Sequence, residues 1–286
     1  MTTLFEQFED YLAQNLPKCK TFHPHFEDAL GDMLKAGGKR FRPMLLLNVV
    51  KSKNSLLLPN SMPVALGLEM LHTYSLIHDD LPSMDDASLR RGFKTLHEKY
   101  DEVTAILVGD ALNTHAFNEI SNAPLHNDIK IDLVKVLSEN GGINGMIIGQ
   151  AIDCHFENQK LEINQLEFLH IQKTAKLIAT SLQMGAIIAQ YEKKTQEELF
   201  DFGIDLGLLF QIQDDIIDET QSEQEAGKTT QNDDGKNSFV NLLGIDGAKK
   251  AADELALKCT NRLNNLEDIL KNSLEELLLD YINRHK

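Results

Sequence analysis

Acidic and basic side chains crowd one short stretch of the chain, from His72 to Arg91. Four aspartates lie within eight residues there, and two arginines follow shortly after them. Neighbouring carboxylates raise each other's pKa unless a cation lies among them, and carboxylate oxygens suit hard cations such as Mg²⁺. Arginines beside such a site favour a bound polyanion, for which phosphate or diphosphate is the natural candidate. A solvated acidic loop is the alternative. The aspartates are Asp79, Asp80, Asp85 and Asp86.

A second acidic cluster lies far down the chain, where Asp214 and Asp215 are followed by Asp218. The four-residue spacing places Asp214 and Asp218 on one face of a helix, and Gln211 shares that face. The flanking residues are apolar, so this helix is predicted to be mostly buried. Buried carboxylates without a counterion are costly. We therefore expect the two acidic clusters to face one another across a metal ion.

Composition excludes several function classes. The chain has 286 residues with 28 Lys and Arg against 44 Asp and Glu, a formal net charge of −16. This balance argues against binding to nucleic acid or to an anionic membrane surface. The longest strong apolar run, residues 44–50, is too short for a membrane span. The three cysteines are scattered and the N-terminal stretch is unlike a signal peptide, which together predict a cytoplasmic protein.

Helical periodicity dominates the chain, and no convincing alternating strand is present. The predicted fold class is all-α, a single domain over residues 1–286 with ten or more helices around a deep central cavity. Pro82 should end the helix that carries Asp79 and let Asp85 turn back towards it. A continuous helix is expected over 164–190, and residues 220–236 are expected to form a mobile lid loop.

A basic stretch behind two glycines precedes another predicted helix. Lys39, Arg40 and Arg42 stand between Gly37-Gly38 and Pro43, which suits the first turn of a helix. Cations at a helix N-terminus make a plausible anion cradle, with a basic surface loop as the alternative. Further along, Lys173 and Thr174 are polar residues on an otherwise apolar helix.

Together these motifs closely resemble those of the trans-isoprenyl diphosphate synthases, the polyprenyl synthetase family, and most closely its bacterial farnesyl diphosphate synthases. The resemblance rests on the order and spacing of several motifs over nearly the whole chain. These are the Gly38–Pro43 cradle, Asp79-Asp80-(four residues)-Asp85 with Arg90-Arg91, Gly149-Gln150-x-x-Asp153, Lys173-Thr174, and Phe210-Gln211 before Asp214-Asp215-x-x-Asp218.

The resemblance implies a role for each motif. Three Mg²⁺ ions, replaceable by Mn²⁺, would be bound by Asp79, Asp85 and Asp214, supported by Asp80, Asp153 and Asp218. The allylic diphosphate would be held by Arg90, Lys173 and Lys228. The diphosphate of isopentenyl diphosphate would be held by Lys39, Arg42, His72 and Arg91. Thr174 and Gln211 would turn their oxygens towards the developing allylic cation.

The resemblance also implies a reaction and its partners. Isopentenyl diphosphate would condense head-to-tail with dimethylallyl and then geranyl diphosphate, by ionisation, condensation and elimination, and the protein would be a homodimer. Tyr74 lies five residues before Asp79, about 7.5 Å deeper along a helix, where its ring should act as a floor for the growing chain. Ser75 is small and leaves room for the geranyl tail. These two residues predict farnesyl diphosphate as the product, with geranylgeranyl diphosphate as the alternative.

Two features complicate this interpretation. Residues 233–236 form a shorter loop than the family's usual form, and Asn237-Ser238-Phe239-Val240 replaces its common small-Thr-Tyr-Pro segment. In addition, Glu69-x-x-His72 and Glu167-x-x-His170 have the spacing found in di-iron carboxylate bundles. A di-iron protein is thus a rival of a different class, although it has no use for the basic residues of the cradle.

Overall fold

The computed structural model describes residues 2–220 and 237–282, and within these ranges it is almost entirely helical. The predicted all-α class with ten or more helices is confirmed. The first helices are α1 (Leu4–Gln14), α2 (Phe26–Lys35), α3 (Phe41–Lys53), α4 (Leu58–Asp79), α5 (Leu96–Lys99), α6 (Glu102–Asn122) and α7 (Asn127–Gly141). The remaining helices are α8 (Met146–His155), α9 (Ile163–His170), α10 (Lys176–Ile188), α11 (Lys193–Thr220), α12 (Phe239–Asn264) and α13 (Asp268–Ile282).

Local sequence signals explain where several helices begin. The Thr3 hydroxyl accepts a hydrogen bond from the Glu6 backbone N–H, and the Glu6 carboxylate accepts one from the Thr3 backbone N–H, so α1 starts with a capping box. Asp101 caps α6 by accepting from Thr104 N at 2.7 Å. Ser238 caps α12 in the same way, through Asn241 N.

The chain divides into two compact units. The first comprises Met1–Leu47 and Leu56–Val134, and the second comprises Asn48–Ser55 and Lys135–Lys286. In the first unit α4 packs along α6, and the two helices come so close at Gly67 that a Cβ there would lie 2.6 Å from the Ala116 carbonyl oxygen. The expectation of a single domain stays a prediction.

The second unit is built around α11, which packs against both α10 and α12. Asp205 of α11 is buried and accepts hydrogen bonds from Lys258 and Arg262 of α12, at 2.8 and 2.7 Å. These two cations compensate the charge of the buried carboxylate, which would otherwise be costly. The helix that carries the second acidic cluster is thereby fixed to its neighbour.

The structure differs from the sequence-based expectations in two places. The helix expected over 164–190 is interrupted by a π-helical segment, Ile171–Ala175, between α9 and α10. A small antiparallel hairpin, β1 (Leu89–Arg90) and β2 (Phe93–Lys94), stands where no strand was expected. The predicted lid loop falls almost entirely in 221–236, outside the described residues. Within the described ranges, no helix has both the length and the hydrophobicity needed to cross a membrane.

Candidate active site

The first acidic cluster lies where α4 ends and the chain turns back. Asp79 is the last residue of α4, and the N–H of Asp85 donates to the Asp79 carbonyl oxygen at 2.9 Å. The N–H groups of Asp86 and Ala87 donate to the carbonyls of Leu81 and Asp80 in the same way, at 3.1 Å each. The loop thus returns Asp85 to Asp79, as the position of Pro82 predicts.

Asp80 stands behind this loop as a buried carboxylate. It is 1% exposed, and its Oδ1 accepts from Arg90 at 2.6 Å. Its Oδ2 is buried and has no hydrogen-bond partner. Burial raises the pKa of Asp80 to about 6 against the opposing effect of Arg90, and the neighbouring Asp79 and Asp85 raise it further. A buried acceptor with unused capacity beside two further carboxylates is a place where a cation would be stabilised.

The β1–β2 hairpin presents two arginines to this region. Its two-residue turn consists of Arg91 and Gly92, both with positive φ (54° and 80°), as the type I′ turns that suit hairpins require. Arg90, on β1, reaches Asp80. Arg91, one residue later, donates to the Gly37 carbonyl oxygen. Adjacent arginines therefore contact different segments, the aspartate loop and the glycine turn.

A cationic cluster forms around that glycine turn. Arg42 Nη1 lies 3.1 Å from His72 Nε2, and since a guanidinium only donates, the imidazole accepts at this nitrogen. Burial lowers the pKa of Arg42 to about 10, with a further contribution from Arg91. Burial, followed by Arg42 and Arg91, also lowers the pKa of His72 well below its usual 6.5. The Nε of Arg42 is buried and lacks a hydrogen-bond partner. Cations that disfavour one another's charge, with a donor left unused, form a site suited to an anion.

Arg40, the third cation of the predicted cradle, does not belong to this cluster. Its side chain is fully buried and pairs with Glu9 at 2.5 Å and Glu69 at 2.8 Å. It also donates to the Leu34 carbonyl oxygen at 2.6 Å. Arg40 is a structural residue that ties α1 and α4 to the glycine turn, and the predicted three-cation cradle is reduced here to Arg42 and the exposed Lys39.

The second acidic cluster lies on α11 as predicted, in one continuous helix from Gln211 to Asp218. Gln211 connects it to the π-helical segment, since Thr174 Oγ1 donates to Gln211 Oε1 at 3.3 Å. Gln211 Nε2 donates in turn to Asp215 Oδ1 at 3.0 Å. Asp215 received no role from the sequence, although its doubling with Asp214 on a buried helix was an available signal.

Lys173, the neighbour of Thr174, is held by an ion pair with Asp153 of α8 at 2.5 Å. Two glycines bring the surrounding helices against the π-helical segment. A Cβ on Gly149 would lie 2.2 Å from the backbone nitrogen of Lys173, and a Cβ on Gly207 would lie 2.4 Å from the Cα of Ala175. The wider π turn, which is common at functional sites, thus packs between α8 and α11 through backbone contacts.

The two residues predicted to set chain length lie on α4, about one helical turn before Asp79. Tyr74 is 5% exposed, and its ring meets His78 edge to face with centroids 5.6 Å apart. Burial raises the pKa of Tyr74 to about 12, and Asp79 and Asp110 add to the effect. Ser75 donates to the His72 carbonyl oxygen at 2.8 Å.

The donor set of each aspartate cluster fits Mg²⁺. All of its side chains offer carboxylate oxygens, and the buried Oδ2 of Asp80 has capacity for a further interaction. Within residues 2–220 and 237–282, no three His, Cys, Asp or Glu side chains converge as a preformed metal group. Sites that bind Mg²⁺ usually supply only one or two carboxylates and complete the shell with substrate phosphates and water, so such convergence is not required.

The di-iron rival requires ligands that the structure places elsewhere. Glu69 is the partner of Arg40, and His72 is the partner of Arg42. Glu167 is exposed while His170 is buried and stacks on Phe239, so this second pair does not share one surface. Among the described residues, the inward-facing cluster of glutamates and histidines that defines such proteins is absent.

Lys228, which is predicted to hold the allylic diphosphate, lies outside the described residues.

The chain is similar to known proteins over most of its length. The sequence model described as polyprenyl synthetase matches residues 23–277. A farnesyl diphosphate synthase of Micrococcus luteus is 40% identical over 270 residues, covering 93% of this chain and 92% of that protein. A chloroplastic geranylgeranyl pyrophosphate synthase of Capsicum annuum is 39% identical over 268 residues, covering 91% and 71%.

Solved structures give the same result at the level of the fold. A geranyltransferase from Helicobacter pylori, crystallised with magnesium and isoprenyl diphosphate, superposes with a TM-score of 0.91 at 49% identity, covering 96% of this chain and 94% of that one. The aspartate loop, the cationic glycine turn and the second acidic helix therefore occur in a fold shared along nearly the whole chain. The chain belongs to the polyprenyl synthetase family.

Proposed function

We propose that this protein is a farnesyl diphosphate synthase, which condenses isopentenyl diphosphate with dimethylallyl and then geranyl diphosphate. The observation that carries the proposal is the pairing of two unlike groups within the first unit. A carboxylate loop suited to Mg²⁺ is joined through the β1–β2 hairpin to a cationic cluster in which the buried Arg42 Nε has no partner. In this proposal the first group would receive a metal-bound diphosphate and the second a metal-free one. The similarity to bacterial farnesyl diphosphate synthases supports the same substrates.

The allylic diphosphate is assigned to the aspartates. Asp79, Asp85 and Asp214 would hold Mg²⁺, three ions by family resemblance, with Asp80, Asp153 and Asp218 in support. When bound, Mg²⁺ neutralises the charge that develops on the leaving diphosphate. Arg90 and Lys173, with Lys228 from the undescribed segment, add positive charge to the same group. Asp80 fixes Arg90, and Asp153 fixes Lys173, so both cations are positioned before substrate binds.

Stabilisation of the allylic cation is assigned to two side-chain oxygens of the second unit. Thr174 and Gln211 share a hydrogen bond at 3.3 Å and carry no net charge, so they can stabilise a cation by their dipoles without reacting with it as nucleophiles. The proton lost after condensation needs a base. By resemblance to the family, the departing diphosphate would take this proton.

Isopentenyl diphosphate is assigned to Lys39, Arg42, His72 and Arg91. His72 is neutral and accepts from Arg42, which orients the guanidinium. The unpartnered Nε of Arg42 remains for a phosphate oxygen. Arginine suits this role because its planar fork matches phosphate geometry.

Tyr74 and Ser75 are proposed to set the product length. A buried ring about one helical turn before Asp79 would stop a farnesyl tail from returning for another round, while the small Ser75 admits a geranyl tail. Geranylgeranyl diphosphate is the second candidate product, since a relative of that name is 39% identical.

We further propose that the enzyme works in the cytoplasm as a homodimer. Three large apolar side chains are exposed on α6, at Val103 (65%), Ile106 (41%) and Leu107 (48%). Their i, i+3, i+4 spacing forms a stripe of the kind that commonly marks an association surface. Sedimentation analysis of the protein and of Ile106→Asp tests this, and a monomeric wild type would contradict it.

The activity is tested by supplying the purified protein with Mg²⁺, labelled isopentenyl diphosphate and each allylic primer in turn, then sizing the products. We expect C15 products from both dimethylallyl and geranyl diphosphate. Asp79→Ala and Asp214→Ala should each lower kcat by several orders of magnitude, since charge stabilisation is the main contribution to the rate. Asp128→Ala, whose carboxylate is 85% exposed on α7, is the matched control and should keep full activity. A wild type inert with both primers would refute the proposal.

A further inference from the structure

Asp215 occupies a position in the second acidic cluster that calls for its own explanation. It is 7% exposed, and its two carboxylate oxygens accept hydrogen bonds from different elements. Oδ1 accepts from Gln211 Nε2 at 3.0 Å, one turn earlier on α11. Oδ2 accepts from the backbone N–H of Phe239 at 2.8 Å, at the start of α12.

The start of α12 is itself held firmly, which fixes the orientation of the Asp215 carboxylate. The Asn237 side chain accepts from Leu161 N at 3.0 Å and donates to the Phe156 carbonyl oxygen at 2.9 Å. The Phe239 ring stacks on His170 with centroids 5.5 Å apart. Asp215 Oδ2 therefore has a fixed donor, and Oδ1 is directed to Gln211.

The acceptor oxygen of Asp215 determines which way the Gln211 amide lies. Asp215 Oδ1 accepts from Gln211 Nε2, so the NH₂ group of Gln211 faces Asp215. The other end of the amide, Oε1, then faces Thr174, whose hydroxyl donates to it. With the amide reversed, an NH₂ group carrying partial positive charge would occupy the place of that oxygen.

We propose that Asp215 is a positioning residue that holds the Gln211 amide with its oxygen, and not its NH₂ group, on the side of Thr174 and of the developing allylic cation. This inference rests on the proposed function, in which Gln211 and Thr174 stabilise that cation. Asp215 acts through Gln211 and needs no contact with either substrate. The acid is required here because an amide at position 215 could donate as well as accept.

The test exchanges the donor and acceptor between the two positions. In Asp215→Asn, the introduced amide oxygen can still accept from Phe239 N, but the introduced NH₂ group faces Gln211 and favours the reversed amide. We expect kcat to fall roughly 10- to 100-fold, as for loss of a preorganised dipole, with KM for both diphosphates close to wild type. Gln211→Glu should also be impaired, because two carboxylates would face one another.

The double variant Gln211→Glu/Asp215→Asn restores a matched pair at unchanged total charge. The amide introduced at position 215 would donate to one oxygen of the carboxylate introduced at position 211, and Thr174 would donate to the other oxygen. We expect the unfolding temperature of the double variant to exceed that of both single variants, because the hydrogen bond between positions 211 and 215 is restored. Asp205→Asn removes another buried carboxylate of α11, bonded to Lys258 and Arg262, and should lower the unfolding temperature without lowering kcat.

A second measurement does not depend on turnover. The Gln211 NH₂ resonances, assigned by their loss in Gln211→Glu, should be protected from solvent exchange in the wild type and lose that protection in Asp215→Asn. Wild-type kcat in Asp215→Asn, a double variant no more stable than the singles, or unchanged protection would each overturn the positioning role. These results are distinct from failure of the proposed function, which would appear as a wild type without prenyl transfer.

Discussion

The backbone of Gly38 packs directly against the guanidinium group of Arg91. A Cβ built on Gly38 would lie 2.7 Å from Arg91 Cζ and 3.0 Å from its Nε and Nη1. Gly38 also has φ +125°, a conformation that side chains other than glycine's disfavour. The glycine before the basic stretch therefore admits a cation that comes from a hairpin far later in the chain.

Gly38→Ala should displace Arg91 and raise KM for isopentenyl diphosphate, with a smaller effect on KM for the allylic substrate. Gly244→Ala is a control for backbone strain, since Gly244 has φ +71° and nothing within 4 Å of a built Cβ. Steady-state kinetics with each substrate varied in turn gives the comparison. Equal effects of the two variants would mean that strain, and not the guanidinium contact, accounts for the result.

Arg40 and Arg42 should respond oppositely to truncation. Arg40→Ala leaves the buried Glu69 without its partner and should lower the free energy of unfolding by about 3–5 kcal/mol. Arg42→Ala relieves the unfavourable approach to Arg91 and should raise KM for isopentenyl diphosphate with little loss of stability. Urea denaturation and kinetics on both variants separate the two roles. If Arg40→Ala were as stable as the wild type but bound isopentenyl diphosphate weakly, Arg40 would belong to the anion site after all.

Tyr74→Ala should lengthen the product beyond C15, because it removes the ring proposed to limit the chain. Tyr74→Phe keeps the ring and removes only the hydroxyl, so its product should stay at C15. Chromatography of the dephosphorylated products measures the lengths directly. An unchanged distribution in Tyr74→Ala would place the limiting surface elsewhere.

His170 should make stability depend on pH. Burial, with a smaller effect of Lys173, lowers its pKa from 6.5 to about 4. Between these values the unfolded chain binds the proton and the folded chain does not, so the free energy of unfolding falls as pH drops from 6.5 towards 4. The loss attributable to this group is about 3 kcal/mol.

His170→Phe keeps a ring against Phe239 and cannot titrate, so its stability should fall less over this pH range. Denaturation at pH 7 and near pH 4 compares the two proteins. Parallel pH profiles would mean that His170 is protonated as readily in the folded chain as in the unfolded one.

The features that could be predicted from the sequence are those whose determining interactions are local. Pro82 predicts the end of α4 and the return of Asp85, and the Asp85–Asp79 hydrogen bond agrees with that prediction. The four-residue spacing of Asp214 and Asp218 likewise predicts their continuous helix. Helical class follows from periodicity for the same reason.

The features that could not be predicted have partners distant in the chain. Arg40 belongs to the same basic stretch as Arg42, but its role follows from Glu9 and Glu69, which are 31 and 29 residues away. Asp215 depends on Phe239, 24 residues away. The hydrophobic periodicity likewise does not predict the π-helical segment, because one extra residue hardly changes the pattern. The predicted lid and Lys228 lie outside the described residues and stay predictions.

The glycine contacts on the π-helical segment fix the backbone of its polar residues and leave their side chains free to vary. Gly149 and Gly207 contact the main chain of this segment. Substituting Lys173 or Thr174 should therefore change the side-chain chemistry without shifting the backbone. A library that varies positions 173 and 174 should therefore yield variants that ionise different allylic diphosphates while the fold is kept. Variation at positions 149 and 207 would instead shift the whole segment, whatever side chain it carried.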